Sequence, residues 1–92
     1  MLKKEVVFTH HARQKMCERG VAEESVIQSI HIGEREPAQR GLWQYRLNLE
    51  FQCLWAGRYY GIQQVMPVVD EEKSRYVVVT VYAFYFQEGQ ER

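Results

Sequence analysis

The sequence contains no apolar run approaching the roughly 20 residues that a bilayer-spanning helix needs, and its opening, Met1-Leu2-Lys3-Lys4-Glu5, lacks the apolar stretch of a signal peptide. The expected location is the cytoplasm, with no membrane contact. Cysteine is scarce: Cys17 and Cys53 stand far apart with no Cys-x-x-Cys partner, so neither a zinc framework nor a disulfide scaffold is indicated. Both are expected as reduced thiols in or near the core. Net charge is absent as well, 12 basic residues balancing 12 acidic ones, which speaks against strong nonspecific attraction to a polyanion. No internal repeat and no low-complexity segment divides the chain.

What is present suits one small folded unit. A chain of 92 residues buries only about 60% of the surface its unfolded form exposes, leaving no room for a second core. With 46% hydrophobic and 26% charged residues, it lies far from the composition of disordered chains. A single α+β domain over residues 1–92 is expected. The zero net charge hides an asymmetry: Lys3, Lys4, Arg13, Lys15 and Arg19 outnumber Glu5 and Glu18 over the first 20 residues, and the following stretch is acidic.

Thr9 precedes a helical pattern over residues 10–19, and Gly20 stands where a left-handed stop belongs. Residues 21–31 read as a second helix, with Glu23 and Glu24 in its first turn, an apolar stripe of Val26, Ile27 and Ile30, and Gly33 at its end. The helices thus occupy about 9–33, and the charged, Pro37-bearing segment 34–41 reads as a linker. From Trp43 the period changes to two: Trp43, Tyr45, Leu47, Leu49, Phe51, Cys53 and Trp55 alternate with polar residues, which assigns Trp43, Tyr45, Phe51 and Trp55 to the core. Residues 59–69 are a second extended run in which Gly61 and Pro67 suggest a bulge or an edge. Tyr59 and Tyr60 must then point to opposite faces. Residues 76–86, β-branched and aromatic on both faces, read as a central strand after a charged turn, and 87–92 as a frayed tail. The expected architecture is two N-terminal helices packed on one face of a curved antiparallel sheet of three to four strands, covering about 42–86.

Residues able to carry chemistry gather on the first helix. Ala12 and Met16 point to the core, whereas His11, Lys15 and Arg19, four apart, form a cationic stripe along one edge. Stacked like charges cost a few tenths of a kcal/mol per pair, a cost that phosphate binding would explain. A solvated face with Glu18 as counter-charge is the competing reading. His11 carries the side chain best suited to taking up and returning a proton near neutral pH. His10, His11 and Cys17 could be drawn as metal ligands, but adjacent histidines diverge by about 100° on a helix and no fourth ligand is evident, so no metal or other cofactor is expected. On the last strand Thr80 and Tyr82 share a face with Val78 and Phe84; Tyr82 is either a phosphate or histidine partner or a core tyrosine. Arg13, Arg46 and Arg58 are further candidate phosphate contacts, equally at home as solubilising charges.

The run Phe8-Thr9-His10-His11-Ala12-Arg13-Gln14-Lys15-Met16-Cys17-Glu18-Arg19-Gly20-Val21, followed by Glu23-Glu24-Ser25-Val26 and later Thr80-Val81-Tyr82, resembles a small bacterial domain-of-unknown-function family marked by His-Ala-Arg, Glu-Arg-Gly and Thr-Val-Tyr. That family is similar to the RelE, ParE and barnase-like toxins. The resemblance implies a toxin-like fold with RNA as a target, a cognate antitoxin as a protein partner, and a catalytic set of His11, Arg19, Thr80 and Tyr82. Lys15, Arg13 and Arg46 would bind phosphate. The activity it implies is metal-independent RNA cleavage; the alternative is a noncatalytic protein-binding module or an inactive member.

Overall fold

Thr9 joins the first two elements. The computed structural model describes residues 4–87, and in it strand β1 (Glu5–Phe8) passes through Thr9 into helix α1 (His10–Arg19). The Thr9 hydroxyl accepts the Ala12 N–H at 3.0 Å and so caps the first turn. Gly20 ends α1 with φ 73°, and the Val21 N–H returns to the Met16 carbonyl at 2.9 Å. A side chain there would be strained twice over, because a Cβ on Gly20 would lie 2.5 Å from the Trp55 ring. Helix α2 (Glu23–Ile32) follows, then β2 (Glu34–Pro37), a short turn (Gln39–Gly41), and the long strands β3 (Trp43–Trp55), β4 (Arg58–Glu71) and β5 (Arg75–Phe86).

The strands form one five-stranded sheet in the order β1-β5-β4-β3-β2, with β1 parallel to β5 and every other pair antiparallel. This corrects the expected fold in three respects. The sheet has five strands rather than three or four, it is mixed rather than antiparallel, and the helices follow a strand rather than opening the chain. β1 escapes a reading by period because four residues are too few to establish alternation, and its partner lies about 70 residues away. The expected linker is in large part strand β2, whose charged residues and terminal Pro37 suit an outer strand that must not recruit further chains. β4 takes the centre in place of the final strand, and Pro67, buried at that centre, sits beside a register shift at Val68/Val69 rather than on an edge. Of the expected tail, all but Gln87 lies outside the described residues.

One face of the sheet meets both helices. Ala12, Met16, Val26 and Ile30 share a buried cluster with Tyr45, Val65, Val69, Val78 and Val81, and Val6, Phe8 and Trp43 pack against it. Val65, Val69, Val78 and Val81 are fully buried, and each such side chain contributes about 1.5–3 kcal/mol. The alternation of β3 is interrupted by a bulge between Glu50 and Cys53, where Gln52 has φ 48°. Of the four aromatics assigned to the core, Tyr45 is buried and Trp43 packs against the core cluster. Phe51 and Trp55 instead join Tyr60 in a separate group around Tyr85, with ring centroids 5.3–5.5 Å apart, while Tyr59 is exposed. Cys17 and Cys53 are free thiols but exposed, not core residues.

The bulge in β5 decides what the other face carries. Val69 pairs with Val78 but Val68 pairs with Thr80, so Val79 is the extra residue and the side-chain alternation restarts there. Val78 faces the helices. Thr80, Tyr82 and Phe84 turn to the uncovered face, and the expected grouping of Thr80 and Tyr82 with Val78 is overturned. No helix among the described residues is long and apolar enough to cross a membrane.

Candidate functional site

β1 borders β5 only as far as Phe8↔Val78. Beyond that point the outer edge of β5 belongs to α1. The Thr9 N–H donates to the Val78 carbonyl at 3.1 Å and its hydroxyl to the Val79 carbonyl at 3.3 Å, after which Arg19 Nη1 donates to the Val81 carbonyl at 2.7 Å. The Thr9 N–H and two side-chain donors thus take the place of the missing strand. The end of α1 is fixed from behind: the Tyr85 hydroxyl donates to the Arg19 carbonyl, and the Gln63 amide donates to the Gly20 carbonyl at 3.1 Å and to Tyr85 at 2.9 Å.

Docked this way, α1 brings four of the sequence-derived candidates together. His11 is exposed at the first turn, with Nε2 3.3 Å from Thr80 Oγ1, a contact whose donor depends on the imidazole tautomer. Eight residues on, the Arg19 guanidinium lies 5.1 Å from the centre of the Tyr82 ring while still holding Val81. Eight helical residues span about 12 Å and two strand residues about 7 Å, so the long Arg19 side chain, leaning toward the helix start, closes the difference. Tyr82 is 43% exposed, which overturns the alternative of a core tyrosine and leaves its phenol accessible.

The three expected phosphate ligands do not converge there. Arg13 pairs with Glu23 and packs over the Phe8 ring, tying α1 to α2. Lys15 pairs with Glu18 at 3.1 Å, so the cationic stripe is neutralised at its middle and the solvated-face reading applies to that residue. Arg46 lies on the uncovered face but is held by Glu34 at 3.1 Å and Glu36 at 3.7 Å. Arg35 and Arg75 are likewise paired, with Glu71 and Glu72. Among the described cations with no carboxylate partner, Lys4 donates to the Glu72 carbonyl at the far end of β5, and Arg58 and Lys73 belong to the distant β3–β4 and β4–β5 connections. The other two, Arg19 and Arg40, flank Tyr82.

Arg40 was not legible as a functional residue, because a cation in a polar connecting segment has no distinguishing local pattern. It stands at the tip of the 39–41 turn with φ 61°, and together with Leu42, Gln44, Val68, Val79, Thr80 and Tyr82 it lines a cleft of about 510 Å³ on the uncovered face. A second cleft, about 470 Å³, lies toward α2 and is lined by Ile32, Glu34, Arg46, Asn48 and Gln64. Its one cation is the neutralised Arg46, so the first cleft is the better anion receptor. Among the described residues no group of three or more His, Cys, Asp or Glu side chains could hold a metal ion. Chemically, the β5 edge offers two neighbouring pairs, an imidazole with a hydroxyl and a guanidinium with a phenol, groups able to move protons and stabilise an anion.

Comparison with curated proteins and with solved structures returns no match. A family model does match, over residues 8–83, a span that contains every member of the cluster just described, and the chain belongs to that family, Domain of unknown function (DUF4258).

Proposed function

We propose that this member of the DUF4258 family is a metal-independent endoribonuclease of toxin type, acting in the cytoplasm and restrained by a cognate antitoxin. The observation that carries the reading is the convergence of His11, Arg19, Thr80 and Tyr82 on one edge of β5. In the proposed reaction His11 removes the proton of a ribose 2′-hydroxyl, and that oxygen attacks the adjacent phosphate to give a cyclic phosphate while the 5′-oxygen departs. Thr80 orients the imidazole. The Arg19 guanidinium stabilises the charge that builds on the phosphoryl oxygens, and the Tyr82 phenol, beside it, orients the phosphate or protonates the leaving oxygen. Because the nucleophile belongs to the ribose, DNA should be inert.

The test is cleavage of a labelled mixed-sequence RNA by purified protein in buffer containing a chelator, with His11→Ala and a DNA copy run alongside. Cleavage of RNA alone, lost in the variant, supports the proposal; an intact RNA in every lane sinks it. The second reading, a noncatalytic protein-binding module, draws support from β3, whose residues 47–55 have no strand partner on their outer side and include the 69%-exposed Leu54. An unpaired edge of that length suits addition of an extended peptide.

A further inference from the structure

We infer that the cleft between the 39–41 turn and β5 seats one nucleotide of the RNA strand, its base on the apolar floor and a phosphate against Arg40. The inference rests on the ribonuclease reading for its choice of ligand, but not for its geometry.

The floor comes from Leu42, Val68 and Val79, aliphatic side chains on the face that no helix covers, and Thr80 and Tyr82 form the wall that the cleft shares with the His11 edge. Apolar floors with a few polar groups at the wall are how proteins hold flat heterocycles. The half-exposed Tyr82 ring adds a surface for stacking. Arg40 supplies the charge. Arg13, Arg35, Arg46 and Arg75 are each paired with a carboxylate, whereas Arg40, in this cleft, has no acidic partner among the described residues; Arg19, which also has none, lies over the Tyr82 ring while donating to the Val81 carbonyl. A cation lining the same cleft as Tyr82, together with Arg19 over the Tyr82 ring, fits a strand whose successive phosphates flank a bound base.

Arg40 is also positioned rather than free to wander. The Ala38 N–H donates to the Leu42 carbonyl at 2.8 Å, and the Leu42 N–H to the Gln39 carbonyl at 3.1 Å, closing the turn below it. At φ 61° a residue with a Cβ is strained, so a glycine would serve the fold at least as well as the arginine found there. Arg40→Gly therefore removes the charge without straining the turn.

The test uses adenosine 5′-monophosphate, with inorganic phosphate as control, titrated into ¹⁵N-labelled full-length protein and followed by amide chemical shifts. Shifts are expected at residues 39–44 and 79–82 with the nucleotide, at concentrations where phosphate alone gives none. Arg40→Gly should weaken binding about tenfold or more without lowering the thermal midpoint, and Arg40→Lys should restore part of it. Absence of nucleotide shifts at these residues, or equal binding by Arg40→Gly, overturns the inference. Nucleotide binding lost in Arg40→Gly in a protein that cleaves no RNA keeps the cleft and discards the ribonuclease; RNA cleavage with unchanged nucleotide binding in Arg40→Gly does the reverse.

Discussion

The two faces of the sheet differ in kind. The face beneath α1 and α2 is built from small β-branched residues that reach complete burial, Val65, Val69, Val78 and Val81, and among the described residues no buried side-chain nitrogen or oxygen lacks a hydrogen-bond partner. The uncovered face carries Gln44, Arg46 and Asn48 on β3 and the exposed Tyr82 and Phe84 on β5. Burial stabilises the fold through the first face, and the proposed chemistry belongs to the second. The single extra residue Val79 allows β5 to serve both, since it turns Thr80 and Tyr82 away from the helices while Val81 returns to the core.

The bluntest way to break the comparison is to place the same charge on each face. Val65→Asp should lose at least about 4 kcal/mol and fail to give a folding transition, because a carboxylate with no partner would replace a fully buried side chain. Phe84→Asp, on the open face, should stay within about 1 kcal/mol. Urea denaturation compares them directly, and similar losses in both would mean that the second face is covered in solution. Next in size is His11→Ala. This exposed residue should leave the unfolding midpoint unchanged while RNA cleavage falls by about 100-fold or more, the range of a lost general base. Third is Gly20→Ala, expected to cost about 2 kcal/mol through positive φ and collision with Trp55, read as a lowered midpoint in urea.

How much of this could be read in the sequence follows from how local each signal is. Thr9, the run 10–19 and Gly20 gave α1 to the residue, since caps and helical period are contained in one stretch of chain. His11 and Arg19 on one edge of α1 came from the same period. The proximity of Thr80 and Tyr82 came from the family resemblance, not from spacing. Strands β1 and β2 were missed because each has four residues, and a strand so short is defined by its partner, Arg75–Val78 for one and Trp43–Arg46 for the other. The bulges at Gln52 and Val79 were invisible for a related reason: the Trp43–Trp55 pattern alternates well past Glu50, so period alone placed Phe51 and Trp55 in the core. Charge pairing is equally nonlocal. Nothing near Arg46 in the sequence announces that Glu34 and Glu36 neutralise it, or that Arg40 escapes such pairing.

The smallest effect expected tests the charges of the covered side. Glu71 accepts two hydrogen bonds from Arg35, at 3.0 and 2.7 Å, and one from the Tyr45 hydroxyl, joining β2, β3 and β4, while the Arg35 guanidinium stacks 3.4 Å above Trp43. The guanidinium holds the Glu71 carboxyl below its ordinary value of 4.5 despite partial burial. A carboxyl lowered on folding contributes stability that is fully present above its unfolded pKa and is lost as pH falls through the lower folded value. Burial first, and then the Glu71 charge, pushes the Tyr45 phenol up to about 12. The sign is opposite there: that contribution is complete below pH 10 and disappears as pH rises toward 12. Urea midpoints should therefore decline on both flanks. Glu71→Gln should flatten the acid limb below about pH 4.5 and shorten the alkaline one, since the amide neither binds the extra proton nor repels a phenolate. Tyr45→Phe should remove the alkaline contribution and leave most of the acid limb. Unchanged slopes in both variants would show that carboxylates elsewhere, such as Glu18 beside Lys15, carry the pH dependence, and that this network positions strands without contributing to the charge balance of folding.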